Sequence, residues 1–157
     1  MEKQGEFRES LKETDWAWLA GFIDGEGHLS IRRSYAENTN ATRRTRTSDG
    51  WTWYSARVSV HNTHQVAIER AAAMMDGVAT KRRKQAHNVL DIYSVEVSAR
   101  LKVQEILQHI VPYMIVKRDM ALLILDFVRL PHGSGPLKQE MHERAVILSQ
   151  AGERKAA

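Results

Sequence analysis

The chain has 157 residues, 43% of them hydrophobic and 27% charged, and no cysteine, which suits a single domain over 1–157 and excludes disulfides and thiolate zinc sites. No apolar run is long enough to span a bilayer and no signal-peptide pattern opens the chain, so we expect an intracellular protein with no membrane partner. The formal net charge is +4, and residues 28–100 hold 12 Lys/Arg against 6 Asp/Glu, a focused basic excess that favours a polyanion such as nucleic acid.

Residues 1–13 are polar and of mixed charge, and read as a short helix or a loose arm. A helix follows, with Thr14 or Asp15 as its cap. Trp16, Leu19, Ala20 and Ile23 recur at i, i+3, i+4 and i+7 and should face a core. Ala17, Gly21 and Gly25 form a second row, four residues apart, where another helix could approach closely. The stretch ends in two carboxylates, Asp24 and Glu26, interleaved with Gly25 and Gly27, which should stop the helix.

The period then becomes two. In 28–33 Leu29 and Ile31 point one way, and His28, Ser30 and Arg32 the other, as in a half-buried strand. Residues 34–50 are turn-rich and carry Arg43, Arg44 and Arg46, suited to lying along a nucleic acid. From Trp51 alternation resumes. Tyr54, Ala56, Val58 and Val60 form the apolar set, and Trp51, Trp53, Ser55, Arg57, Ser59 and His61 the opposite face. Asn62 or Thr63 should cap a helix bearing Ile68, Ala71, Ala72 and Met75, stopped at Asp76-Gly77. His61 and His64 lack the further ligands that zinc would need. Strands are expected over 78–84 and 89–97, joined at 85–88; in 89–97 both faces are partly apolar, so its register stays open. Ser98 should cap a helix ended by Pro112. The stretch 117–129 is apolar nearly all round, 131–136 is a loop, 137–151 is a covering helix and 152–157 a tail. The element order, α, β, β, α, β, β, α, α, α, is that of an α+β fold.

LAGFIDGEG, Leu19 to Gly27, resembles the nine-residue signature of the LAGLIDADG homing endonucleases. Leu19, Ala20, Gly21, Ile23, Asp24 and Gly27 match, and Phe22, Gly25 and Glu26 are mild departures. With the element order, the resemblance covers about 12–135. It implies an αββαββα core whose four-stranded antiparallel saddle sits on double-stranded DNA, with additional helices at the C-terminus. Only one signature is present. Single-signature members act as homodimers, so the resemblance implies a homodimer, and the Ala17, Gly21, Gly25 row would be its interface.

The implied activity is metal-dependent hydrolysis of phosphodiesters in a long, pseudo-palindromic DNA target, with Mg2+ or another divalent cation such as Mn2+. The family's metal-binding acid falls on Glu26, with the backbone of Gly25 beside it. Asp24 either binds metal or only caps and orients the helix end. The segment PYMIVKRDMALLIL resembles the region that carries the family's basic catalytic residue, which falls on Lys117. A water-network position on the second strand falls on Ser59, with His61 as its neighbour. The outward positions expected to bind DNA are Ser30, Arg32, Arg43, Arg44, Arg46, Trp53, Arg57, Lys81, Arg82, Lys84, Asp91 and Tyr93. Two other functions stay open on the same scaffold: a maturase binding intron RNA, and a non-catalytic DNA-binding regulator.

Overall fold

The computed structural model describes residues 10–36, 50–82 and 90–156, with side chains as far as residue 151. The elements are α1 (Glu13–Glu26), β1 (Gly27–Ala36), β2 (Trp51–Asn62), α2 (Gln65–Met75), β3 (Thr80–Lys81), β4 (Tyr93–Val97), α3 (Arg100–Ile110), α4 (Arg118–Arg129) and α5 (Gly135–Ala156), with a 3-10 turn at Val111–Tyr113. Residues 1–9 of the arm expected over 1–13, residues 37–49 of the turn-rich stretch expected over 34–50, with its arginines, and the 85–88 turn lie outside the described residues; residues 34–36 continue β1.

α1 begins earlier than its sequence suggests. Its N-cap is Lys12, and Thr14 and Asp15, the two expected caps, stand at the second and third helical positions. From there the Asp15 carboxylate accepts the backbone N–H of Lys12 at 2.9 Å, covering a donor that the helix start leaves open. Trp16, Leu19, Ala20 and Ile23 are buried, as their spacing predicts. Gly25 does not stop the helix; Gly27 does. A Cβ at Gly27 would stand 2.6 Å from the Ile23 carbonyl oxygen, so only glycine lets the chain turn from helix to strand in a single step.

The sheet is antiparallel with strand order β1-β2-β4-β3. Leu29 and Ile31, Ala56, Val58 and Val60, and Val95 and Val97 line its inner face. The helices cover that face, and Ile68, Met74 and Met75 of α2, Ile106, Leu107 and Ile110 of α3 and Ile124 of α4 are fully buried beneath them. α4 buries seven residues, but Leu122 is exposed, so its apolar coat is open along one stripe. α5 buries Met141 and Ala145. Its His142 Nδ1 lies 2.7 Å from the Ile31 carbonyl of edge strand β1; a carbonyl only accepts, so this nitrogen carries the hydrogen.

Several boundaries differ from expectation. α2 is capped by His64, whose Nδ1 accepts the Ala67 N–H at 3.4 Å; Asn62 instead accepts the His64 N–H at 2.8 Å and shapes the turn before it. α3 has Ala99 at its cap position, one residue past Ser98, and no side chain caps it. The strands expected over 78–84 and 89–97 contract to Thr80–Lys81 and Tyr93–Val97 among the described residues. α5 starts inside the expected loop, at Gly135-Pro136, where proline's missing N–H costs nothing, and it runs through Ala156 in place of a tail.

Leu19 is wholly buried between α1 and the core. Leu19→Ala should lower unfolding stability by about 2–5 kcal/mol, read as a fall in denaturation midpoint with an unchanged slope.

Candidate active site and nucleic-acid interface

The C-terminal end of α1 meets the turn that leads into α4. The Asp24 carboxylate accepts three successive backbone N–H groups there: Ile115 at 2.6 Å and Val116 at 3.0 Å on Oδ2, and Lys117 at 2.9 Å on Oδ1. Burial pushes its pKa up, but these donors, helped by the Lys117 charge, outweigh burial and hold it below the ordinary carboxylate value. Asp24 is therefore committed to the backbone. The turn it holds exposes two apolar side chains, Ile115 and Val116.

Lys117 returns the connection. Its Nζ donates to the Ile23 carbonyl at 3.1 Å and to the Asp24 carbonyl. The Ile23 carbonyl also accepts the Gly27 N–H that closes the helix, and a cation at these last carbonyls suits the negative end of the helix dipole. Burial lowers the Lys117 pKa, while the charges of Asp24 and Glu26 oppose that shift. Two of its three N–H donors are used, leaving one for a further acceptor. Glu26 is exposed at the helix end, and among the described residues no hydrogen bond or ion pair engages its carboxylate. The Gly25 carbonyl follows the two that Lys117 covers.

The outer face of the sheet begins here. Gly27 pairs with Val60, so Glu26 and His61 lie one step beyond that pair. Cross-strand partners share a face, which puts His28, Ser59 and Glu96 in one row and His61 beside Ser94 in another. Ser30 and Arg57 make the next pair along, then Arg32 and Ser55, then Ser34 and the exposed Trp53. Arg82 donates its backbone N–H to the Ile92 carbonyl at 2.8 Å, extending the β3–β4 ladder on this face. Burial lowers the His61 pKa, and Arg82 adds to the effect.

Four of the expected site residues are placed differently. Ser59 is only 1% exposed, so its hydroxyl does not reach the surface where a water network would form. Tyr93 pairs with Asn62 and Lys81, on the face opposite Ser94 and Glu96, and packs against the core. Lys81 shares that face and is ion-paired with Asp91 at 2.8 Å, so Asp91 balances the Lys81 charge. Arg43, Arg44, Arg46 and Lys84 lie outside the described residues. Glu96 was not among the expected positions, although strict alternation from Val95 and Val97 turns it outward.

Among the described residues no group of three His, Asp or Glu side chains could hold a metal ion, and no helix is long and apolar enough to cross a membrane. Along α1, Gly21 and Gly25 face open space: a Cβ at either would meet nothing within 4 Å.

No protein-family model and no curated protein sequence matches the chain. Solved structures do. The homing endonuclease I-CvuI, in complex with a DNA target, superposes with a TM-score of 0.65 at 19% identity, over 87% of this chain and 82% of that one. This chain has the LAGLIDADG homing endonuclease fold. The archaeal intron-encoded homing endonuclease I-Vdi141I, complexed with DNA, shares it with a TM-score of 0.59 at 16% identity, over 90% and 84% of the two chains. The LAGLIDADG homing endonuclease I-SmaMI, bound to cleaved DNA, matches with a TM-score of 0.55 at 21% identity, over 88% of this chain but 43% of its own. In this LAGLIDADG fold the signature helix is α1, and its last turn lies level with the end of the polar sheet face.

Asp24→Asn should destabilise the protein by about 1–3 kcal/mol, because an amide cannot accept all three N–H groups. The wild-type contribution is complete above the unfolded value of 3.8 and is lost as pH falls through the lower folded value. Urea unfolding at neutral and acid pH should therefore separate the two proteins at neutrality and bring them together in acid.

Proposed function

We propose that the protein is a site-specific DNA endonuclease that acts as a homodimer, cutting a long pseudo-palindromic duplex with Mg2+ or Mn2+. The observation that carries this reading is the end of α1. An exposed carboxylate, Glu26, stands beside a fixed cation, Lys117, at the edge of a polar sheet face bearing Arg32, Arg57 and Arg82. The DNA complexes of the structural neighbours support a duplex as the ligand of that face.

The dimer would complete the site. Among the described residues the helix end offers one unengaged carboxylate, Glu26, with the Gly25 carbonyl beside it. Magnesium keeps several of its waters, so two Glu26 carboxylates, one from each protomer, fit its needs. The smooth Ala17, Gly21, Gly25 row lies on the same helix and would bring them together. A match to less than half of the I-SmaMI chain is consistent with this chain supplying half of a complete enzyme.

The paired Glu26 carboxylates would hold divalent ions, which would supply an activated water and charge compensation for phosphodiester hydrolysis. Asp24 holds Lys117 in place through the backbone. The remaining N–H of Lys117 then donates to the phosphate as negative charge grows on it, from a position that needs no reorganisation. His61, whose pKa burial lowers, adds a polar ring nitrogen at the same end of the sheet, its Nδ1 being buried.

In a randomised long-duplex library with magnesium, the wild type should cut and Glu26→Gln should bind without cutting. Lys117→Met should lower the single-turnover cleavage rate roughly 10²- to 10³-fold. Equal cleavage by wild type and Glu26→Gln would remove the mechanism. Binding without cleavage by the wild type would identify a regulator.

Gly21→Leu tests the dimer. Light scattering should give twice the 17.9 kDa chain mass for the wild type and the single-chain mass for the variant, with circular dichroism unchanged. A monomeric wild type at micromolar concentration would overturn the arrangement.

A further inference from the structure

Glu96 is out of place on a surface that binds a polyanion. It sits exposed on the outer face of the sheet, in the same row as His28 and Ser59, among Arg32, Arg57 and Arg82. A carboxylate there repels phosphate and lowers sequence-independent affinity. Its partner is specific: Arg57 Nη1 donates to Glu96 Oε2 at 3.0 Å, reaching diagonally across from the neighbouring row.

The contact decides which edge of Arg57 is available. The Nε atom is buried against the sheet, with no partner among the described residues. One Nη1 hydrogen is taken by Glu96. What remains exposed is the end of the fork, the second Nη1 hydrogen and both Nη2 hydrogens. An arginine presented end-on in this way matches the O6 and N7 acceptors of guanine in the major groove. A guanidinium whose charge is already balanced by a carboxylate is, in contrast, poorly suited to holding a phosphate.

We propose that Glu96 and Arg57 form one base-reading unit, in which Glu96 orients Arg57 to read a guanine in each half-site. The proposal rests on the DNA endonuclease reading above and names part of its target. Arg57 lies four residues along β2 from His61, about 14 Å at the rise of a strand. With β2 laid along the groove that is about four base-pair steps from the cleavage end, so the guanine belongs to the inner part of the half-site. Glu96 is a positioning residue: it acts on the base only through Arg57.

The test is binding selection from a randomised long-duplex library with calcium as the divalent ion, followed by affinities for selected and scrambled duplexes at several salt concentrations. The wild type should select guanine at one inner position of each half-site. Arg57→Ala should lose that preference, a discrimination of roughly 5- to 150-fold. Glu96→Gln should lose most of it while binding scrambled duplex at least as tightly and with an unchanged salt slope. Glu96→Asp, which keeps the carboxylate, should recover part of the preference. Melting curves for every variant separate misfolding from lost readout; Glu96 is exposed, so its variants should melt with the wild type. Unchanged guanine selection by Glu96→Gln would overturn the proposal. So would an Arg57→Ala protein weakened equally on all duplexes with a salt slope lower by about one, the mark of a phosphate contact. A wild type that binds no duplex would overturn the endonuclease reading itself, and selection without dependence on Arg57 would overturn this proposal alone.

Discussion

Three hydrogen bonds to a single carboxylate hold the working end of this protein together. α1 ends at Glu26 and α4 begins at Arg118, more than ninety residues later in the chain. Asp24 joins them by accepting the N–H groups of residues 115 to 117. Lys117 completes the junction by donating to two of the last carbonyls of α1. Each helix end thus meets the other's backbone groups, with an anion on the N–H donors and a cation on the carbonyls. Glu26 is left out of this closed set, which is why its carboxylate remains available at the surface.

The sheet makes the same separation over a larger area. Valine, leucine and isoleucine on its inner face are buried by the helices, and the outer face keeps arginine, histidine, serine and glutamate. The polar face is not uniformly wet. Ser59 is buried among its neighbours, and Ser30 Oγ, Arg57 Nε and His61 Nδ1 are buried without partners among the described residues. Unpaired polar atoms in such positions are costly unless a ligand or ordered water meets them. Their clustering on this face agrees with a surface shaped for a polar partner, and it separates residues that support the surface from those that can touch a ligand.

The α1 stripe was legible because a helix repeats every 3.6 residues, and Trp16, Leu19, Ala20 and Ile23 hold that period through a full two turns. The β1–β2 hairpin was legible for the corresponding reason at period two. The helix caps were less so. Asp15, Asn62 and Ser98 all have the right chemistry for a cap, yet the chain used Asp15 from inside the first turn, set Asn62 to support His64, and left Ser98 aside. Several residues near a helix start can satisfy its open donors, and the packing of the helix body selects among them. β4 was ambiguous because Val89, Leu90 and Ile92 blur the alternation of Tyr93 to Val97. Pairing with β2 resolved it, turning Ser94 and Glu96 outward and Tyr93 toward the core.

By itself the sequence determined the local periods, the order of elements, the open glycine row and the carboxylates at the end of α1, all of which depend on residues close together in the chain. Only the tertiary structure separated the two acids, engaging the Asp24 carboxylate and leaving that of Glu26 exposed. Asp24 and Glu26 are two residues apart and chemically alike, and nothing local distinguishes them. What distinguishes them is a turn some ninety residues away, whose three N–H groups converge on Asp24. The same holds for Arg57 and Glu96, which are 39 residues apart and meet only because β2 and β4 pair in a particular register. Long-range pairing decides which charges are engaged within the fold and which remain for a partner, because a carboxylate already satisfied by three backbone donors has little left to offer outside.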